Sequence, residues 1–366
     1  MSHRMARTAR LLTLLALLAS GAHAQSTTPA APTARPAPAP SATATALDTA
    51  LTRARAASLR IEHCPPVNCT RANGIGTAFY ISTTGLALTA YHVVFGAPAL
   101  SAVTPDGQRY PVKVVGYDET VDLALLQIGA KSATPALPIA SAAPGVGERV
   151  GAIGNGGGAR FRRVSGSLTA LDARALRGDF PDRTLELRAN LIPGDSGSAI
   201  VNARGEVVGV TSYIRTDGER IVSYAVPITA RDPKLAELRA GVQRDAPVVG
   251  VRTAGDLTDR AFTLGLGGQR GAVFTDVQPG SPAARAGLRP VEVAAQSQSG
   301  EITRLKGDVV LAVNATRVQN FEEFINAVRA LKVGDTVTLK LLRDGQPLSV
   351  QLKLAGHAQV FGSDEN

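Results

Sequence analysis

Between Gly74 and about Val226 the apolar residues come in short β-branched runs divided by Gly, Asp and Asn. The runs are Thr77–Ile81, Gly85–Thr89, Arg109–Tyr117, Leu123–Ile128, Arg149–Gly154, Gly166–Leu171, Leu185–Ala189, Ser198–Val201, Val207–Ile214 and Ile221–Val226. Many short runs spaced about ten residues apart, with no helical repeat between them, predict an all-β barrel or sandwich. A βαβ enzyme would need crossover helices that this pattern lacks. A helix is predicted at Pro233–Ala240, and the pattern then changes. The strand Gly271–Val277 runs into the breaker Gln278-Pro279-Gly280-Ser281, a short helix Pro282–Ala286 and the stop Gly287. Asp308–Val313 reads as a strand, and Phe321–Leu331 as a helix whose inward stripe is Phe321, Phe324, Ile325 and Val328. Thr336–Leu342 and Leu348–Leu354 read as a hairpin turning at Asp344-Gly345. Residues 247–356 therefore form a small α+β module, interrupted by a polar excursion, Arg289–Lys306, that reads as a surface loop.

The N-terminus has its own pattern. Arg4, Arg7 and Arg10 precede the apolar run Leu11–Ala19, and Ala22 and Ala24 supply the small residues of a cleavage site. Residues 1–24 are thus expected to be a secretory signal, the apolar run being short for a membrane span. Residues 25–50, rich in Ala, Pro and Thr, read as a disordered tether, with a short helix expected at Leu51–Leu59. The expected order is then a β-rich domain at 51–230, a linker at 231–246, the module at 247–356 and a flexible tail at 357–366. Among 366 residues only 4% are aromatic and none is Trp, so the cores must be built from Val, Leu, Ile and Ala. The net charge is +9, and loss of the leader would leave 36 basic and 30 acidic side chains, or +6. These charges are interspersed, which argues against a nucleic-acid partner. The expected product is exported, with no stable membrane insertion after cleavage. In an oxidising compartment Cys64 and Cys69 are placed to form a disulfide, and His63 alone beside them makes a poor metal site, so no metal is expected.

The candidate chemistry lies in the β-rich part. In Pro193-Gly194-Asp195-Ser196-Gly197-Ser198 the flanking glycines allow a tight turn that exposes a Ser hydroxyl. The N–H groups of Gly194 and Ser196 could then converge as an oxyanion hole. Of five histidines, His3 and His23 fall in the leader, His357 in the tail and His63 beside the cysteines, which leaves His92 as the candidate general base. Asp122 opens an apolar strand, where a carboxylate is half buried and aimed inward, whereas its rival Asp118 sits in a polar turn. The set His92, Asp122, Ser196 needs no cofactor.

The order His–Asp–Ser, at separations of 30 and 74 residues, resembles chymotrypsin-like peptidases, and specifically the HtrA/Deg family of bacterial envelope proteases. The segments GIGTAFYISTTGLALTAYHVV, DETVDLALLQI, GAIGNGGG, LIPGDSGSAIVNARGEVVGVTSY and YAVPI follow the family's blocks in order. The resemblance implies a mainly β fold: a chymotrypsin-like double β-barrel followed by a small α+β PDZ-like domain. It implies His92 as base, Asp122 as orienter, Ser196 as nucleophile, and a serine endopeptidase acting on unfolded or damaged envelope proteins. It further implies an S1 pocket from Asn190 with Gly209, Val210, Thr211 and Ser212, and a preference for small uncharged apolar P1 residues. In the second module, TLGLG and GAVFTDVQPGSPAARAGL resemble a bacterial PDZ domain. Leu264, Gly265 and Leu266 would there receive the carboxylate of a C-terminal peptide. A periplasmic homotrimer is the expected assembly. Three residues depart from the family: Tyr91 for a small residue, Ser198 for a glycine, and Asp195 for an asparagine. Asp195 resembles the digestive enzymes, where this aspartate pairs with an amine freed by zymogen cleavage. Here an arginine, with Arg188 as the candidate, is the expected partner. The departures at Tyr91 and Ser198 motivate the alternative reading, an inactive peptide-binding scaffold or sensor.

Overall fold

The computed structural model describes residues 42–130, 133–174, 180–217, 220–253, 258–264, 266 and 268–362. The expected signal, and the expected tether up to residue 41, lie outside the described residues. Residues 42–50, read from sequence as tether, are helical: α1 spans Ala42–Ala57. Leu47, Ala50, Leu51, Ala54 and Ala57 fall on one face and are buried. The helix stops where β1 (Ser58–Glu62) begins, so Leu59 is a strand residue.

The first barrel continues with β2 (Ile75–Tyr80), β3 (Leu86–Thr89), β4 (Ser101–Val103), β5 (Arg109–Asp118) and β6 (Leu123–Ile128). The strand order is β5-β4-β1-β2-β3-β6, and pairing of β5 with β6 closes the ring. A second closed barrel is built from β7 (Arg149–Gly154), β8 (Arg162–Ala173), β9 (Thr184–Arg188), β10 (Ala199–Asn202), β11 (Val207–Asp217) and β12 (Arg220–Pro227), in the order β10-β11-β12-β9-β8-β7. Largely aliphatic residues fill both barrels, and β4 covers β5 only at Arg109–Pro111, which leaves the end of β5 as an open edge. Helix α1 packs on β7 and β10. Gly151 admits it: a Cβ there would lie 2.9 Å from both methyls of Leu51.

Helix α2 (Pro233–Arg239) starts at Asp232, whose side chain accepts the Lys234 N–H at 3.0 Å. After it β13 (Gln243–Arg244) adds in parallel to β5, pairing Gln243 with Tyr117 and Arg244 with Asp118. The joint between the domains is thus a strand of the first barrel's sheet.

The second domain comprises β14 (Pro247–Val248), β15 (Val251–Arg252), α3 (Thr258–Thr263), β16 (Asp276–Val277) and α4 (Pro282–Arg285). It continues with β17 (Glu292–Gln296), β18 (Ile302–Lys306), β19 (Asp308–Val313), β20 (Thr316–Arg317), α5 (Phe321–Arg329), β21 (Thr336–Arg343), β22 (Gln346–Lys353), β23 (Ala355–Gly356) and α6 (His357–Phe361). Phe324 and Val328 of α5 are fully buried against Val310, Val337, Leu339 and Leu341. Asp344 and Gly345 both have positive φ, 49° and 81°, the condition for a tight hairpin turn between β21 and β22. Three expectations need correction. The strand expected at Gly271–Val277 is reduced to β16 and a bridge from Ala272 to Val310. The Arg289–Lys306 excursion is not a plain loop but the hairpin β17–β18, which tucks Leu305 into a cluster with Ala261, Val273 and Val309. The tail expected from residue 357 is helical to Phe361.

Candidate active site

His92 lies in a single 3₁₀ turn, Tyr91–Val93, directly after β3. Asp122 ends another, Glu119–Val121, directly before β6, in the left-handed conformation with φ 54° and ψ 46°. That region is disfavoured for most residues and tolerated better by Asp. Because Thr89 of β3 pairs with Ala124 of β6, the two turns emerge side by side. Asp122 Oδ1 accepts the His92 backbone N–H at 3.0 Å. The ring Nδ1 lies 2.9 Å from Oδ2 and 3.0 Å from Oδ1. The Ser212 hydroxyl donates to Oδ2. Burial works to raise the Asp122 pKa, but the His92 ring, the Ser212 hydroxyl and the His92 amide outweigh it and hold the carboxyl below its ordinary value of 3.8. Asp118 does different work. It accepts the Thr120 N–H at 3.0 Å and pairs with Arg244, capping the turn that presents Asp122.

Ser196 sits on a turn tied to both barrels. The Thr77 N–H donates to the Ser196 carbonyl at 2.8 Å, and the Gly197 N–H donates to Thr211 at 2.7 Å. Gly197 has φ 84°, and a Cβ on it would lie 2.1 Å from the Thr77 carbonyl, so the close approach of the barrels demands glycine. Gly194 also has positive φ, 101°. The Pro193 carbonyl accepts the Gly157 N–H at 3.1 Å, which turns the Gly194 N–H to the opposite side of that peptide plane. Among the described residues neither the Gly194 nor the Ser196 amide donates to a backbone acceptor. The Ser196 hydroxyl donates to the Ser212 carbonyl at 3.2 Å. It shares with His92 a cleft walled by Phe180, Leu191, Ile192, Tyr213 and Ile214. Phe180 meets the His92 ring edge-on, with centroids 5.7 Å apart, and stacks on Tyr213 at 4.7 Å. Burial pushes the Tyr213 phenol pKa up, so this wall stays uncharged.

Each of the three departing residues is accommodated away from the cleft. Tyr91 stacks on Tyr117 with centroids 4.6 Å apart and packs against Phe95 at 5.5 Å. The buried Ser198 hydroxyl bonds to Thr211 Oγ1 at 2.8 Å. Asp195 is fully buried and pairs with Arg162, not Arg188. Arg188 lies on β9 opposite Ser167, with its side chain exposed.

Two sets of expected site residues must be revised. Gly209 and Val210 are barrel-ladder residues opposite Pro227 and Val226, and Val210 is core. The ladder slips between Thr211 and Ile214, and this irregularity turns Ser212 and Tyr213 toward the cleft. Thr211 and Ser212 do line it, joined by Tyr213 and Ile214. Asn190 is exposed, and the buried Leu191 takes its expected place. In the second domain the Leu266 N–H donates to the Ala261 carbonyl at 2.9 Å, closing the end of α3. It is therefore not held open for a carboxylate. Leu264 packs on the same apolar cluster, and Gly265 lies outside the described residues.

Comparison with known proteins agrees with this geometry. The trypsin-like peptidase domain profile matches residues 76–210, and the PDZ domain profile matches residues 247–354. HhoA of Synechocystis is 30% identical over 298 residues, covering 78% of this chain and 71% of HhoA. The chain belongs to the HtrA/Deg family of serine proteases. The periplasmic serine endoprotease DegP of Escherichia coli is 30% identical over 284 residues, 75% of this chain, which spans only 55% of DegP. Among solved structures, the HtrA-type protease AlgW with a decapeptide superposes with a TM-score of 0.54 at 25% identity, covering 85% of this chain and 98% of that one. A serine endoprotease from Yersinia pestis has the same fold, with a TM-score of 0.54 at 23% identity over 87% of this chain and 99% of that one.

In this HtrA/Deg protease the PDZ domain touches the turn that presents Asp122. Arg329 of α5 donates to the Glu119 carbonyl at 3.0 Å, and the Glu119 carboxylate lies 3.1 Å from His357 Nδ1. The Ala246 N–H donates to the same carboxylate at 2.8 Å. Cys64 and Cys69 are joined as a disulfide, with Cα atoms 5.7 Å apart. Although Glu62 lies beside the two sulfurs, the pair offers no thiolate to a metal. Among the described residues no helix is long and apolar enough to cross a membrane.

Proposed function

We propose that this protease is an endopeptidase that cleaves unfolded or damaged proteins of the cell envelope through an acyl-enzyme on Ser196. The observation that carries the reading is the His92–Asp122 contact of 2.9 Å at the mouth of the cleft that holds Ser196. The Asp122 carboxylate faces hydrogen-bond donors, so it favours the His92 tautomer with the proton on Nδ1 and the lone pair on Nε2. Rotation of the Ser196 hydroxyl from the Ser212 carbonyl toward Nε2 lets His92 take its proton as Oγ attacks the scissile carbonyl. Negative charge then develops on the carbonyl oxygen, where the Gly194 and Ser196 N–H groups receive it. His92 returns the proton to the leaving amine, and water repeats the sequence to free the acid.

Phe180, Leu191, Ile192, Tyr213 and Ile214 make the wall of the cleft apolar, which supports an uncharged apolar P1 residue. The N-terminal pattern and the periplasmic relatives support export to the envelope, and the PDZ domain supports capture of peptide segments. The scaffold alternative loses its motive, because Tyr91 and Ser198 pack away from the cleft. Treatment with a fluorophosphonate should label the wild-type protein and not Ser196→Ala, and only the wild type should digest β-casein. Equal digestion by both proteins would refute the reading, and mapped cleavage sites would report P1.

A further inference from the structure

The carboxylate of Asp195 has a built socket. Its side chain has no solvent exposure. Oδ1 accepts the Gly156 N–H at 2.7 Å, while Oδ2 accepts the Ile192 N–H at 3.0 Å and an Nη2–H of Arg162. The hollow exists because of glycines in the segment GAIGNGGG. A Cβ on Gly154 would lie 2.1 Å from Oδ1, and one on Gly156 would lie 2.7 Å from both oxygens. The same Arg162 Nη2 donates to the Asn190 carbonyl at 3.2 Å. One cation therefore fastens the segment Asn190–Asp195 at both ends, and between them lie the cleft wall and the Gly194 amide.

Arg162 is itself held in place. It opens β8, opposite Gly154. The residue before it, Phe161, donates its N–H to Asn155 Oδ1 at 3.1 Å and accepts from Arg55 of α1 at 2.8 Å. Asn155 reaches Thr77 Oγ1 at 3.0 Å, and that hydroxyl donates to the Gly194 carbonyl at 2.9 Å. Helix α1 thus braces the strand end that carries the cation.

We propose that Arg162 is a positioning residue: its guanidinium, paired with buried Asp195, holds the Gly194–Ser196 turn in the form that receives the oxyanion. It would serve as an internal, permanent replacement for the amine that digestive relatives generate by cleavage. The inference rests on the acyl-enzyme reading above. A buried carboxylate stripped of its cation is strongly unfavourable. Without Arg162 the turn would swing Asp195 outward, and the Gly194 and Ser196 N–H groups would no longer converge on one point beside the Ser196 hydroxyl.

The test uses the full-length protein and four variants: Arg162→Ala, Arg162→Lys, Asp195→Asn and the double variant Arg162→Ala/Asp195→Asn. Arg162→Ala should lose about 10²–10³-fold in kcat and in fluorophosphonate acylation rate, the size of effect expected for a lost oxyanion donor. Arg162→Lys should recover part of that loss. Asp195→Asn removes the buried negative charge but leaves one acceptor for the Gly156, Ile192 and Arg162 donors, so it should lose about ten-fold, and the double variant should return to its level. Urea unfolding of each variant separates positioning from general stability, because a merely structural role would lower the midpoint of Arg162→Ala while the folded protein kept the wild-type kcat and acylation rate. Wild-type acylation by Arg162→Ala would overturn the proposal, as would a double variant no faster than Arg162→Ala, folded or not. A wild-type protein that takes no label would instead overturn the acyl-enzyme reading, and this inference with it.

Discussion

Replacing Asp122 by Asn keeps the shape of the site and changes one thing, the direction of its hydrogen bonds. The carboxylate receives the His92 N–H and the Nδ1 side of the ring on Oδ1, and the Ser212 hydroxyl and the same ring nitrogen on Oδ2. An amide has one acceptor to set against these donors. The His92 backbone N–H can only donate, so the Asn oxygen should settle at the Oδ1 position and its NH₂ at Oδ2, facing the ring 2.9 Å away. Nδ1 must then accept, which moves the imidazole proton to Nε2 and removes the lone pair that takes the Ser196 proton. The expected loss is about 10⁴-fold in kcat, or about 5.5 kcal/mol of transition-state stabilisation. Steady-state hydrolysis of an apolar-P1 peptide between pH 6 and 10 measures it, with Asp118→Asn as the control that loses the Arg244 ion pair and keeps the tautomer. If Asp122→Asn held kcat within ten-fold of wild type at pH 8, the assignment of Asp122 would be wrong. The same substitution has a stability signature. The Asp122 pKa is lowered in the fold, so its contribution is complete above the unfolded value near 4 and is lost as pH falls through the folded value. Urea titrations below about pH 4 should therefore show wild type losing stability more steeply than Asp122→Asn.

Removing the Cys64–Cys69 bridge by the paired alanine substitution should cost about 2 kcal/mol in urea unfolding, the chain-entropy value for so small a loop, with kcat little changed. Tyr91→Ala takes a ring from between Tyr117 and Phe95 and should cost about 3 kcal/mol, whereas Tyr91→Phe should cost less than about 1 kcal/mol. Phe180→Ala opens the wall beside His92, so casein cleavage sites should broaden and KM for a preferred peptide should rise several-fold; an unchanged cleavage map would remove Phe180 from the specificity surface.

The β-rich character, the hairpin at Asp344-Gly345 and the three candidate catalytic residues were legible because each rests on local pattern. Helix α1 was read only from Leu51 onward, since the Ala- and Thr-rich composition of its first half looks like the tether before it. The spacing of Leu47, Ala50, Leu51, Ala54 and Ala57 was the available signal, and it is weak because alanine marks a buried face as readily as an idle one. Arg162 was missed for another reason. Its partner lies 33 residues away on the far side of a barrel strand, and nothing local distinguishes it from Arg163, which reaches back to Asp48 instead. The cleft wall was misplaced by the irregular pairing at Thr211–Ile214, because counting from the nucleophile assumes an unbroken ladder. The expected carboxylate site failed where the amide of Leu266 was needed to finish a helix.

Strand β13 spends the connection between the domains on a sheet edge. Two residue pairs against β5 and the bond from the Tyr117 hydroxyl to Asp245, 2.7 Å long, consume the slack that a polymer linker would keep. The second domain therefore hangs on a strand that is hydrogen-bonded to the first barrel. Any load on it runs as shear along β13 against Tyr117 and Asp118, the last residues of β5 before the turn that presents Asp122. A flexible tether would absorb such a pull, whereas this one would pass it to the turn that carries Asp122.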